Sequence, residues 1–369
     1  MSSADKIVKQ SLEKVFYDCL LPNGAIVAAP SHQPYYPQNA KNYLYVWPGR
    51  DAGFALAAML VKGHDNYEPF LEWVWEKAED FKEGNSSWSP GILFRSYYTN
   101  GLIREHQFQP DQNGTLLWSL GFKFRLKGKL TRLEANIMNA LAFGLVSIWK
   151  EGSFLKPIED LWEERGFETG QGNFSYSLAS CSVGLREAGE ILKNNYYLSV
   201  SGEMSQAVRE AARGHQPFPI PRGFGSENKV DEVPDASLLG IIWPFDVGFE
   251  KEQLLLTLNH IEGMCSGKEG IDRYPNDVYE GAPDKWPKKK NQRAGAWPLL
   301  TFWASIACSQ LGLLKKSRYY FDLGIKSIDE DGFLPEQTFA APNSWRGIRP
   351  LLWSHAMSVF ALWKLNSTT

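Results

Sequence analysis

A repeat constrains this chain more than any other feature. Amphipathic segments, with apolar residues at helical spacing, alternate with segments that are small or apolar on every side. The first kind runs over Ser3 to Leu20, Tyr67 to Phe81, Thr131 to Trp149, Tyr196 to Arg213, Glu250 to Met264 and Lys315 to Ile328. The second kind begins near Asp51, Thr115, Asn173, Asp235, Ala294 and Pro350. The period is about 60 residues, the size of one helical hairpin with a long loop. A helix that is apolar all round must be covered all round, whereas one with a polar face lies outside. The repeat therefore predicts an all-α fold, a toroid of six hairpins with the apolar helices as its inner ring. Strand-like alternation is scarce.

In each cycle the long connection rich in Gly and Pro precedes the inner helix, so these connections should share one rim. That arrangement would place Asp51, Asp111, Glu163, Asp235, Arg273 and Glu336 around a single mouth. Glu163 lies in Asp160-Leu161-Trp162-Glu163-Glu164-Arg165-Gly166, where the helical pattern has stopped, and Glu336 lies in a similar loop, Asp331-Gly332-Phe333-Leu334-Pro335-Glu336-Gln337. Taken singly, these acids have ordinary explanations. Paired acids are common on solvated helix ends, and an Asp at a helix start, as in Arg50-Asp51, satisfies free amide groups. Two carboxylates facing one aromatic pocket beside an Arg are, however, what glycoside hydrolysis requires. One carboxylic acid protonates the leaving oxygen, and one carboxylate activates water or attacks.

Composition narrows the alternatives. A hydrophobic fraction of 43% over 369 residues supports a substantial core. With a net charge of -3 and no longer like-charge run than Lys288-Lys289-Lys290, there is no basic face for a nucleic acid. The first twenty residues carry no secretory apolar block, and no later stretch reaches membrane-spanning length, which predicts a cytoplasmic protein with no membrane partner. Cys19, Cys181, Cys265 and Cys308 are widely separated and read as core thiols. Neither a His/Cys cluster nor a nucleotide loop occurs, so no metal or organic cofactor is expected. The aromatic excess, 14 Trp, 15 Tyr and 21 Phe, fills a core first, but many of these rings lie in loops where they could pack against sugars.

Several segments, in order from Pro30 to Leu365, resemble glycoside hydrolase family 15, the glucoamylase-like enzymes. The run Asp160 to Gly166 looks like the family's general-acid segment, in which the first Glu after Trp has that role, here Glu163. Arg50-Asp51, after Trp47, resembles the Trp-x-Arg-Asp segment that grips the terminal glucose, although Pro48 and Gly49 both intervene here. Arg273-Tyr274-Pro275-Asn276-Asp277-Val278-Tyr279 is similar to the family's sugar-binding loop, and Ala296-Trp297-Pro298-Leu299 to the helix start that follows it. Glu336, with Pro350-Leu351-Leu352-Trp353-Ser354-His355-Ala356 after it, resembles the general-base loop and its helix.

The resemblance implies a single (α/α)6 barrel domain over residues 1–369, without a β-sandwich or starch-binding domain. It implies an inverting exo-acting α-glucosidase that cuts terminal α-1,4-linked glucose from soluble glucans or malto-oligosaccharides and releases β-glucose. Glu163, beside Asp160 and Glu164 and against Trp162, would be the acid and Glu336 the base. Arg50 and Asp51 would bind the terminal glucose, Arg273 and Glu164 the next sugar, and Trp47, Trp162, Trp297 and Trp353 would wall the pocket. The alternatives are α-1,6-glucans or trehalose as substrate, and a non-catalytic glucan-sensing domain of the same fold. The stretch Gln109 to Gly114 is read as a loop that only loosely resembles its family counterpart.

Overall fold

Local chemistry sets the helices. In the computed structural model, which describes residues 3–30, 43–164, 172–213, 219–225, 230–275, 277, 295–338 and 345–367, they follow one another as outer and inner members of successive hairpins. The outer members are α1 (Ser3–Cys19), α3 (Tyr67–Glu76), α5 (Arg132–Ser147), α7 (Asn195–Arg213), α9 (Lys251–Cys265) and α11 (Leu314–Ile325). The inner members are α2 (Arg50–Val61), α4 (Asp111–Lys127), α6 (Ser175–Leu192), α8 (Leu239–Ile242), α10 (Pro298–Gln310) and α12 (Leu352–Ser367). Thr131 and Glu134 cap α5 reciprocally, Pro298 opens α10 where a missing N–H costs nothing, and Gly128 closes α4 in the left-handed region at φ 73°.

The inner helices touch in the order α2, α4, α6, α8, α10, α12 and back to α2, which closes the ring. This is an (α/α)6 barrel. Its axis is filled by rings from five of the inner helices and from the segment just after α8. Phe54 of α2 stacks on Trp353 of α12 at 5.8 Å and meets Trp118 of α4 at 5.2 Å and Trp303 of α10 at 5.5 Å. Tyr176 of α6 and Phe245, just after α8, complete the cluster at 5.5 Å from each other. The short antiparallel pairs among the described residues, such as Ser96–Tyr97 with Ile103–Glu105, belong to the connections. All four cysteines are buried thiols.

Several helix ends differ from the reading of the sequence. Helix α4 begins at Asp111, so Asp111, Gln112, Asn113 and Gly114 form its first turn and are not a loop. Polar residues suit that turn because its N–H groups have no intrahelical partner. Helix α3 ends at Glu76, short of Phe81, and α10 starts at Pro298, after Trp297. The fourth inner member is one 3-10 turn, Ala236–Leu238, running into the single turn of α8. No helix among the described residues is long and apolar enough to cross a membrane.

The aromatic plug sets the main packing energy of the ring. Phe54→Ala should lower stability by about 3–5 kcal/mol in urea denaturation, the usual cost of an aromatic-sized cavity. Tyr17→Ala, at a position 49% exposed, should change it by less than about 0.5 kcal/mol.

Candidate active site

Because every inner helix starts at the same end of the ring, the connections that precede them meet there around one cavity of about 250 Å³. It is lined by Trp47, Arg50, Asp51, Trp162, Glu163, Arg273, Trp297, Glu336 and Trp353, together with Tyr43, Arg104 and Glu105. All the site residues expected from the sequence are therefore brought together except Glu164. Asp111 and Asp235, expected on the mouth, lie beneath it and are fully buried. Asp111 accepts from Ser177 at 3.2 Å, and burial pushes its carboxyl up to about 7 against the opposing charge of Arg50. Of the loop Arg273 to Tyr279, residues 276, 278 and 279 lie outside the described residues, as do Arg165 and Gly166.

Glu163 is presented by a tight turn. The Asp160 carbonyl accepts from the Glu163 amide at 3.1 Å, and the Asp160 carboxylate accepts from the amides of Trp162 and Glu164, both at 2.9 Å. Glu163 itself has φ 67°, a left-handed conformation that a side chain seldom adopts. Its Oε1 accepts from the Trp47 indole at 2.9 Å and from Arg50 Nη2 at 3.1 Å. The neighbouring acids face elsewhere. Arg222 Nη2 lies 2.6 Å from Asp160 and 2.8 Å from Glu164, and its Nε lies 3.2 Å from Asp235. Asp235 also accepts from the Trp162 indole, at 3.0 Å. Glu164, expected to hold a sugar, is thus turned to Arg222 and to the Tyr274 hydroxyl. Arg222 sits beyond any recognised motif, and only folding reveals it.

The Arg50-Asp51 pair is equally fixed. Arg50 Nε donates to Asp51 at 2.9 Å and Nη1 to the Leu161 carbonyl at 2.9 Å. Its guanidinium lies 5.5 Å from the Trp47 ring and 5.4 Å from the Trp353 ring. Burial raises the Asp51 carboxyl above its usual range, and Arg50 opposes that shift. Across the cavity Arg273 is held by Asp277 at 2.7 and 2.6 Å and lies between the rings of Trp162 and Trp297, at 5.4 and 5.5 Å.

Glu336 comes from the opposite side and is 2% exposed. The Tyr43 hydroxyl donates to its Oε1, its amide donates to Ile348 O at 2.9 Å, and a Cβ on Gly347 would stand 1.8 Å from its Oε2. Only glycine fits behind that carboxylate. Two residues earlier, the Leu334 amide donates to His355 Nε2 at 2.9 Å, which fixes a neutral ring with its proton on Nδ1, 3.2 Å from Ser11 Oγ. Tyr43, Arg104 and Glu105 carried no sequence signal. Arg104 lies 4.2 Å from the Tyr45 ring, and Arg95 bonds Glu105 at 3.0 Å and Glu159 at 2.9 Å.

Two outcomes follow. Arg222→Ala strands buried carboxylates without their cation and should cost about 3–5 kcal/mol of stability, read as a lower urea midpoint. His355 is the second. Burial pushes its pKa down from 6.5 to about 3, so between those values the unfolded chain binds a proton that the folded one excludes. This contribution is complete above pH 6.5 and fades as pH falls towards 3. His355→Gln, which keeps an acceptor for Leu334, should show a flatter fall in urea midpoint between about pH 7 and pH 5 than the parent.

No family model matches the chain. An uncharacterized glycosyl hydrolase of Methanocaldococcus jannaschii is 27% identical over 370 residues, which cover 90% of this chain and 52% of that protein. The chain thus spans about half the length of this curated relative. Among solved structures, a glycosidase variant in complex with glucose superposes with a TM-score of 0.77 at 20% identity, over 99% of both chains. The glucoamylase of Saccharomycopsis fibuligera superposes with a TM-score of 0.70 at 14% identity, over 99% of this chain and 95% of its own. The chain has the (α/α)6 barrel fold of these glycosidases and glucoamylases.

Proposed function

We propose that the chain is a glycoside hydrolase of the glucoamylase type, a single cytoplasmic catalytic domain that removes terminal α-1,4-linked glucose from soluble glucans or malto-oligosaccharides with inversion. One observation carries the reading. A single cavity is lined by two carboxylic acids from distant loops, Glu163 and Glu336, by the Arg50-Asp51 pair, and by Trp47, Trp162, Trp297 and Trp353. The glycosyl hydrolase relative supports the reaction class, and the glucose-bound and glucoamylase neighbours support the sugar.

Asp51 and Arg50 bind hydroxyls of the terminal glucose, and the indoles exclude water from around the ring. Glu163 gives its proton to the glycosidic oxygen as the bond to the anomeric carbon breaks. Water then bonds to that carbon from the opposite face and passes its proton to Glu336, whose orientation the Tyr43 hydroxyl fixes. Inversion calls for a carboxyl separation of about 6.5–9.5 Å, with room for that water.

The test is to incubate the protein with maltose, maltotriose, isomaltose and trehalose and follow released glucose by proton NMR from the first minutes. We expect β-glucose from the malto-oligosaccharides, with turnover reduced roughly 10²–10⁴-fold in Glu163→Gln and in Glu336→Gln. Early α-glucose from maltotriose, where the reducing end stays on the maltose product and the released glucose is the attacked one, would overturn inversion, and release from isomaltose or trehalose alone would overturn the linkage. Oligosaccharide binding with no release would replace the enzyme by a glucan-sensing domain.

A further inference from the structure

The first turn of α4 holds a chain of buried amides that the reaction scheme does not use. Helix α2 starts at Gly49-Arg50 with no side chain of its own to cap it. The cap comes from α4. Gln112 Oε1 accepts from the Gly49 amide at 2.8 Å and from the Arg50 amide at 3.2 Å. The approach is so close that a Cβ on Gly49 would lie 1.9 Å from the Gln112 carbonyl. Gln112 Nε2 then donates to Gln109 Oε1 at 2.8 Å, and Gln109 Nε2 donates to the Asp160 carbonyl at 2.6 Å. Both glutamines are fully buried.

The direction of this relay is fixed at both ends. Two backbone N–H groups can face only the oxygen of Gln112, and a backbone carbonyl can face only the nitrogen of Gln109. Its last acceptor matters most, because the Asp160 carbonyl is also the one to which the Glu163 amide bonds at 3.1 Å. Arg50 closes the loop through Leu161 O and Glu163. The helix start that carries Arg50 and Asp51 and the turn that carries Glu163 are therefore bolted together through two glutamines, with no contact between those glutamines and the cavity lining's open space.

We propose that Gln109 and Gln112 are positioning residues that hold Glu163 in register with the Arg50-Asp51 pair, Gln109 setting the proton donor and Gln112 the glucose grip. The inference rests on the proposed role of Glu163 as general acid. Displacing an acid by about 1 Å can cost on the order of 10²-fold in rate. The loss falls on substrates whose leaving group needs the proton, and spares those that leave without it.

The test compares whichever disaccharide the parent hydrolyses, among maltose, isomaltose and trehalose, with α-D-glucosyl fluoride, whose fluoride leaves with little need of an acid. Gln109→Met keeps the side-chain length and removes the donor, and Gln109→Asn shortens the amide in case the first does not fold. Either should lose about tenfold or more in kcat on the disaccharide and much less on the fluoride, as Glu163→Gln does. Gln112→Met should in addition raise KM for both substrates. Asn113→Leu, in the same buried turn but bonded to Gly91 O and Leu93 N, serves as the structural control and should lower stability without this split. Equal losses on both substrates in the Gln109 variants, with the split intact in Glu163→Gln, would overturn the positioning role alone. No split in Glu163→Gln would overturn the general-acid reading instead.

Discussion

One guanidinium makes the rim of this barrel possible. Asp160 and Asp235 are buried, and burying carboxylates without a counter-charge would be prohibitive. Arg222 stands between them and also reaches Glu164 and, at 4.0 Å, Asp231, so four acids from two connections converge on one cation. Once they are neutralised, Asp160 is available to fold its own loop, accepting the amides of Trp162 and Glu164. Asp235 is available to cap the 3-10 turn at Ser237 and to hold the Trp162 indole. The turn that presents Glu163 in its left-handed conformation is over-determined by these bonds, which is how a strained residue persists.

The ring supplies what the rim cannot supply for itself. Loops of this length have little intrinsic rigidity, yet each is tied at its end to an inner helix buried on nearly all sides. Glu336 shows the pattern clearly. Its carboxylate is bracketed by Tyr43 and by the space only Gly347 leaves, while its loop is tied down by His355 and by Ser354, which donates to Pro335 O at 3.0 Å. Those last two residues belong to α12, buried from Leu352 to Leu362, and His355 also meets Ser11 of the outer helix α1.

What could be read from the sequence was what periodicity and short motifs report. The alternation of amphipathic and wholly apolar segments places the helices, because a helix's apolar arc states how much of it is covered. Runs such as Trp162-Glu163 and Arg50-Asp51 stand out because chemistry concentrates them within a few positions. Arg222 and Tyr43 do not, since their roles arise from partners far along the chain, and Tyr43 meets Glu336 across 293 positions. Gln109 to Gly114 reads as a loop for a related reason, although α4 starts at Asp111. Pro, Asp, Asn and Gly ordinarily mark a loop, but here neighbouring elements give Asp111, Gln112 and Asn113 hydrogen-bond partners, so the same residues form a buried helical turn.

The aromatic plug along the barrel axis has a kinetic meaning. Phe54, Trp118, Trp303 and Phe360 are buried side by side beneath the cavity and, among the described residues, fill the axis of the ring. Arrival and departure share one opening. Under the proposed function, a monosaccharide cut at the closed end would sit behind the rest of its own polymer and could leave only after that polymer withdraws. Sliding along a chain from one bond to the next is closed to such a site, so shortening would be distributive, with a fresh encounter for every unit removed.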